Sequence, residues 1–541
     1  MNGKELIQAA FKLKEVPRIP WVPFVGCHGG SLIGVTATEY LKSESHMVNG
    51  LEESIRLYKP DGLPVAFDLQ IEAEIMGCDL LWADSNPPAV SSHPLSNGKS
   101  LSDLKIPQKT DGRFPIVLNA TRTIRERHPD IALYGLVTGP FTLALHLYGS
   151  DIFMKMYTDE AETKQLLQFC KDVCNAVSDY YIEAGCDIIA VVDPMTSQIG
   201  PKHFQQFITE PMKEVFSHIK QQQILSSFFV CGHAQQNIEA MCECEPDNVS
   251  IDENIPLDFV RDICLKKNIS FGGNLQLTVV LLLGDKNDAL LNAKDCINTG
   301  GEMGFILAPG CDLPYATPPE NLQAIAEFIH DPYQQEVAKA LQKSPKNLDV
   351  LDMSDYGKMD KVIVDIITLD SESCAPCQYM VDSVRRVAPR FDNIVEWREH
   401  KIKYRDSLKF MTSLMVKNIP TICIDGKITF VSRIPPREEL IAAIQKRILE
   451  KLSMKIKSKK GTVLIFGKND EECEEVKPIV EQAIEELGAN SVNIEFVTDE
   501  KQMMAYGVTI TPAVMVVKYK IKSEGSKPSL AAVKEWIKEL Q

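Results

Sequence analysis

Two apolar runs in this 541-residue chain each end in a thiol. Phe228-Phe229-Val230 runs into Cys231-Gly232-His233, and Phe305-Ile306-Leu307-Ala308 runs into Pro309-Gly310-Cys311. Each reads as a buried strand with a cysteine at its C-terminal tip. In a closed parallel barrel such tips share one rim, where catalytic residues collect. Thiolates and an imidazole are ligands that zinc prefers, and a catalytic zinc takes three protein ligands and leaves a fourth position open. Cys231 and Cys311 are therefore candidate metal ligands, with His233 as the third and Glu253, His28 and Asp193 as its rivals. A lone cysteine is more simply a small buried hydrophobe. Two at matched strand ends, one near a histidine, point to metal or thiol chemistry.

A second thiol pair, Cys374-Ala375-Pro376-Cys377, follows the apolar run Val362–Ile367 and leads into an amphipathic segment, Met380 to Val387. Backbone N–H groups and the positive end of a helix dipole would stabilise a thiolate at Cys374, the expected attacking group. Pro376 suits a first helical turn. Cys377 would then resolve a mixed disulfide from within the chain. A zinc half-site is the alternative reading of this spacing. Cys242 and Cys244 also form a close pair, but at a helix end, and are read as structural.

The elements that position these residues can be read in order. Eight strands are expected: Pro20–Val25, Leu63–Phe67, Ala132–Val137, Asp187–Val192, Ile224–Val230, Asn248–Ile251, Ile269–Gly272 and Gly304–Leu307. Amphipathic helices such as Asp159–Ala184 and Pro318–His330 lie between most of them. This alternation predicts an α/β fold, a (β/α)8 TIM barrel over residues 1–341. Nearly every strand ends in a polar, thiol or glycine residue, among them Asp68, Asp193, Asp252-Glu253 and Asn274, as an active rim requires. A polar, aperiodic linker is expected over 342–358. An α/β unit carrying the dithiol follows over 359–453, and its Ile419-Pro420 opens a strand. Residues 460–541 repeat the pattern. Ile510-Thr511-Pro512 echoes Ile419-Pro420, while Asp470-Glu471-Glu472-Cys473 stands where the first copy has its dithiol, so this unit lacks one thiol.

The net charge of −16 argues against nonspecific binding to nucleic acid or an anionic membrane. The longest aliphatic run, Val279–Leu283, is too short to cross a bilayer. Fifteen cysteines without a secretory signal suggest a reducing, cytoplasmic setting.

Residues 1–335 resemble the uroporphyrinogen decarboxylase superfamily, in particular its methylcobamide:coenzyme M methyltransferase branch. The resemblance is carried by Arg18-Ile19-Pro20 through Gly26-Cys27-His28-Gly29, Asp68 to Glu74 with Met76-Gly77, and Thr138-Gly139-Pro140. It continues in Asp193-Pro194, Val230 to His233, Gly272-Gly273-Asn274 and Ala308 to Cys311 with Thr317 to Asn321. Decarboxylases of this family hold their porphyrinogen with arginines in the N-terminal glycine loop. Here that loop, Phe24 to Gly30, has none, so a polyanionic substrate would lack bidentate partners. The methyltransferases hold zinc with a His-x-Cys pair and a distant cysteine. Cys231 and Cys311 match the cysteines, but Phe229 stands at the histidine position. Residues two apart on a strand share a face, which is why His233 is the expected substitute.

The resemblance implies methyl transfer between a corrinoid, carried by a partner protein, and a small thiol or methylated compound, with Zn2+ holding the thiol as thiolate. It implies that Gly26, Gly29 and Gly30 admit the cobalamin face, that Asp193 and Asn274 orient substrate, and that His28 hydrogen-bonds substrate or corrin. Residues 360–450 and 461–541 resemble thioredoxin, the first with its dithiol. This makes Cys374 and Cys377 a redox pair and thioredoxin reductase a possible partner.

Overall fold

The computed structural model describes residues 1–541 except 341–350, 354–355, 358–360, 373, 392–393, 459–461, 490–491, 517–519 and 540–541. The linker expected over 342–358 falls largely outside the described residues. Of its described part, Tyr356 stacks edge-on against Phe410 and donates a hydrogen bond to Asp365.

Seven parallel strands form one curved sheet in sequence order: β1 (Gly62–Pro64), β2 (Ala132–Thr138), β3 (Ile188–Val192), β4 (Leu225–Val230), β5 (Asn248–Ile251), β6 (Ser270–Leu275) and β7 (Phe305–Pro309). Their residues are almost all buried, as expected where helices cover one face and the barrel interior fills the other. The expected first strand, Pro20–Val25, is instead a single bridge, Trp21 to Leu307. Pro20 and Pro23 carry no N–H, so a longer ladder cannot form there. The segment still occupies the eighth position. Leu307 N–H donates to Pro20 O (2.9 Å), Val22 N–H to Leu307 O (3.0 Å) and Asp61 N–H to Trp21 O (2.9 Å), joining β7 to β1. The Asp61 carboxylate fixes the closure. It takes both guanidinium nitrogens of Arg18 (2.6 and 2.7 Å) and the Trp21 N–H (2.9 Å).

A four-stranded sheet follows, ordered β9-β8-β10-β11, from β8 (Val362–Thr368), β9 (Val395–Lys401), β10 (Thr421–Ile424) and β11 (Lys427–Val431). The pair β8–β9 is parallel, while β8–β10 and β10–β11 are antiparallel. The barrel and this sheet form one compact unit, Met1–Leu440.

The second unit, Ile441–Gln541, repeats the topology with β12 (Thr462–Phe466), β13 (Asn493–Val497), β14 (Ala513–Val516) and β15 (Lys520–Glu524), ordered β13-β12-β14-β15 with the same pairing senses. Ile419–Pro420 and Thr511–Pro512 are both cis. In the second unit Cys473 is buried in the core between Val463 and Val476, so no dithiol is presented there.

Candidate active site

The tips of β4 and β7 bring Cys231 and Cys311 together across 80 residues of sequence. Their Cα atoms are 6.0 Å apart and their sulfurs are joined in a disulfide. Beneath them the barrel interior is plugged by aromatic rings. Phe229 packs on Phe24 (4.8 Å between centroids) and edge-on against Phe67 (5.8 Å). The position where a zinc-binding relative is expected to carry histidine is thus filled by an apolar ring with apolar neighbours.

Above the disulfide lies a cavity of about 140 Å³. One wall is the barrel rim: Cys231, Cys311, Glu253 and Asp312. The other is the dithiol segment: Cys374, Cys377 and the cis proline Pro420. Cys374 and Cys377 are free thiols, and Cys374 is the one free cysteine among the described residues that is not buried. Cys377 is fully buried, and that burial, followed by the neighbouring Cys374 thiol, pushes its pKa up. Helix Ala375–Val387, which starts between the two thiols, is anchored to the barrel. The ring of Tyr379 joins the barrel core, and its hydroxyl donates to Leu145 O (3.4 Å). Asn86 donates to Glu372 (3.0 Å), and Ile434 N–H donates to the Gln198 side chain (3.0 Å).

The cavity is acidic. Asp252, Glu253, Asp312 and Asp370 line it, and Lys403 is the single lysine or arginine among the lining residues, already paired with Asp370. Burial, then the charge of Asp252, raises the Glu253 carboxyl to about 8, while the Leu277 N–H pulls the other way. Asp312 is also raised by burial, and its Oδ1 has no hydrogen-bond partner. Cys27 completes the rim as a buried thiol whose pKa burial and Asp312 raise. Asp312 was not singled out from the sequence, although its place directly after the strand-end Cys311 was a usable signal.

Several expected site residues lie elsewhere. Asp193 is fully buried and does not line the cavity. Its carboxylate accepts from the Phe141 and Thr142 N–H groups (3.0 and 2.8 Å) and the Thr142 hydroxyl (2.6 Å). It holds the start of helix Pro140–Tyr148, and burial raises its pKa to about 6. His28 spends both ring nitrogens on Tyr58 Oη (2.6 Å) and Tyr315 O (3.1 Å), and burial lowers its pKa to about 4. Asn274 donates to Asp252 O (3.2 Å) and Ile255 O (2.8 Å), so it shapes the loop that carries Glu253. The glycines serve packing within the chain: a Cβ at Gly26 would strike Asp312, at Gly29 the Tyr40 hydroxyl (2.6 Å), and at Gly30 the Tyr40 Cβ (2.9 Å). Cys242 and Cys244 are buried, and Cys242 faces Cys264 (3.8 Å).

The donor set does not fit zinc in this arrangement. The two sulfurs are bonded to each other, Phe229 offers no nitrogen, and His233 is not on the cavity lining. Among the described residues no group of three or more His, Cys, Asp or Glu side chains could hold a metal.

The parallel barrel belongs to a known class. Residues 2–332 match the family model described as uroporphyrinogen decarboxylase (URO-D), and the chain belongs to that family. Residues 462–538 match a thioredoxin domain, and the sheet of β8–β11 has the same topology. The chain is 26% identical over 333 residues to a methylcobamide:CoM methyltransferase (MtbA) of Methanosarcina acetivorans, covering 60% of this chain and 96% of that protein. It is 25% identical over 286 residues to a uroporphyrinogen decarboxylase of Wolbachia sp. subsp. Brugia malayi, covering 51% and 79%. A solved methyltransferase from Methanosarcina mazei shares the fold with a TM-score of 0.57 at 23% identity, covering 62% of this chain and 99% of that one. No helix among the described residues is long and apolar enough to cross a membrane.

Proposed function

We propose that the barrel is a corrinoid-dependent methyltransferase whose thiol chemistry takes place at Cys231 and Cys311, with a fused dithiol as its redox module. The meeting of those two cysteines at the mouth of a URO-D barrel carries this reading. Similarity to a methylcobamide:CoM methyltransferase over nearly that protein's whole length supports it. Decarboxylation is disfavoured by the lining. Among the described residues it has no arginine, and its one lysine is already paired with Asp370, so a polycarboxylate porphyrinogen would find no free cation to hold it.

In this proposal a partner protein carries the corrinoid, and a small thiol or methylated compound is the other substrate. A carboxyl held protonated near neutral pH, as at Glu253, can give or take the proton of that thiol. Zinc has no part in this reading, because the rim offers two sulfurs and, at Phe229, no nitrogen. The cavity of about 140 Å³ suits a small ligand; it is below the roughly 300–1,000 Å³ of sites for drug-sized molecules. A bulky corrinoid does not fit the closed cavity, so its approach needs the contacts of Tyr379 and Gln378 with the barrel to be released. A cytoplasmic setting belongs to the same reading, since thirteen of the fifteen cysteines are free thiols.

The test is methyl transfer between methylcobalamin and a panel of thiols, followed by the cobalamin spectrum in wild type, Cys231→Ser and Cys311→Ser. Spectral change lost in both variants is expected. Decarboxylation of uroporphyrinogen with no cobalamin change would overturn the proposal.

A further inference from the structure

Five cysteines line one cavity, and apart from Cys27 they form two pairs, one bonded and one free. Cys231 and Cys311 form a disulfide, whereas Cys374 and Cys377 are thiols. The dithiol is also not free to choose its partner. The helix it begins is pinned to the barrel by the buried Tyr379 ring and by the Gln378 side chain, which donates to Val90 O. On the opposite edge Arg405 donates to Leu283 O (3.1 Å). The active face of a thioredoxin-type fold, its dithiol and cis proline, is therefore turned onto the barrel mouth.

We propose that Cys374 and Cys377 reduce the chain's own Cys231–Cys311 disulfide. This rests on reading the pair as a redox dithiol, and adds its substrate. The half-exposed Cys374 loses its proton and attacks one sulfur of the barrel disulfide. The Cys231–Cys311 bond breaks as a Cys374 mixed disulfide forms, and the released barrel cysteine takes up a proton. Cys377 then attacks Cys374, a Cys374–Cys377 disulfide forms, and the second barrel cysteine leaves as a thiol. Two protons and two electrons pass from the dithiol to the barrel, so nothing else is consumed. An external dithiol restores Cys374 and Cys377 for the next cycle. Tethering gives the reaction an effective concentration on the order of millimolar or above. The barrel rim thus alternates between a closed disulfide and two free thiols, and only the second can act as a nucleophile.

The experiment uses the full chain. Cys377→Ser and, in parallel, Cys377→Ala remove the resolving thiol and should trap Cys374 bonded to Cys231 or Cys311, seen by peptide mapping without reduction. In stopped-time alkylation, dithiothreitol should reduce the Cys231–Cys311 bond at least about tenfold more slowly in Cys374→Ser than in wild type, because the tethered route is lost. A small aromatic disulfide supplies the control for dithiol activity itself. If wild type reduces that compound but no internal link forms and the two reduction rates agree, the pairing is wrong and the redox reading stands. If Cys374 reduces neither, both fail.

Discussion

The Tyr379 hydroxyl donates to Leu145 O at 3.4 Å, and its ring is buried among residues of the barrel core. A side chain two residues past Cys377 is thus part of the barrel's packing. Tyr379→Ala should destabilise the chain by about 3–5 kcal/mol, the range for an emptied aromatic core position. Tyr379→Phe, which loses one hydrogen bond, should cost about 1 kcal/mol or less. Denaturant unfolding measures both. Faster attack of bulky thiol reagents on the Cys231–Cys311 bond in Tyr379→Ala would report an opened mouth; unchanged attack with unchanged stability would remove Tyr379 as the anchor.

Burial orders the reactivity of the thirteen free cysteines. Cys374 is half-buried and the others are buried, and desolvation keeps Cys27, Cys170, Cys174 and Cys377 protonated. Limiting iodoacetamide on native protein should label Cys374 first, with the remainder reacting only on unfolding. Peptide mapping over time gives the order, and early label at Cys27 would contradict it.

Glu253 predicts a pH dependence with a definite sign. Its carboxyl is raised from 4.5 to about 8 in the fold, so the folded state holds a proton that the unfolded chain gives up. The resulting stability is full below about pH 4.5, declines as pH rises and is gone above about pH 8, an effect on the order of a few kcal/mol. Glu253→Gln lacks this titration. Wild type should therefore fall behind the variant in unfolding midpoint as pH climbs from 5 to 8.5. Parallel curves across that range would mean that Glu253 is not held protonated.

Phe229 packs against Phe24 and Phe67 and offers the rim no nitrogen for a metal. Phe229→His would place an imidazole on the same strand face as Cys231. After reduction, this variant should bind zinc at least about tenfold more tightly than reduced wild type, about 1.4 kcal/mol. Seating the ring among Phe24 and Phe67 should cost roughly 1–3 kcal/mol of stability. Metal competition titration against a chelator compares the two. One tightly held zinc in wild type under oxidising conditions would refute the account, since sulfurs bonded to each other offer no thiolate.

The periodic, strand-by-strand features were legible in the sequence, because they depend on local chemistry. Alternating apolar runs and amphipathic helices gave the barrel, with β5 at the expected Asn248–Ile251. The Pro20 and Pro23 positions explain why the opening segment closes the barrel by a bridge instead of a strand. The repeated X-Pro strands marked two copies of one small fold, and strand ends marked the rim on which Cys231 and Cys311 meet.

What a side chain does on that rim depends on what reaches it from far along the chain. Asp193, His28 and Asn274 have the right chemistry at the right strand ends, yet each is consumed by a partner remote in sequence: Thr142, Tyr58 and Ile255 respectively. Gly26 reads as an open approach and is in fact covered by Asp312. The sequence alone determined which thiols exist and which strands carry them. Tertiary packing alone decided that Cys231 and Cys311 bond to each other and that Tyr379 holds a dithiol over them, because such contacts join residues that sequence spacing leaves unrelated.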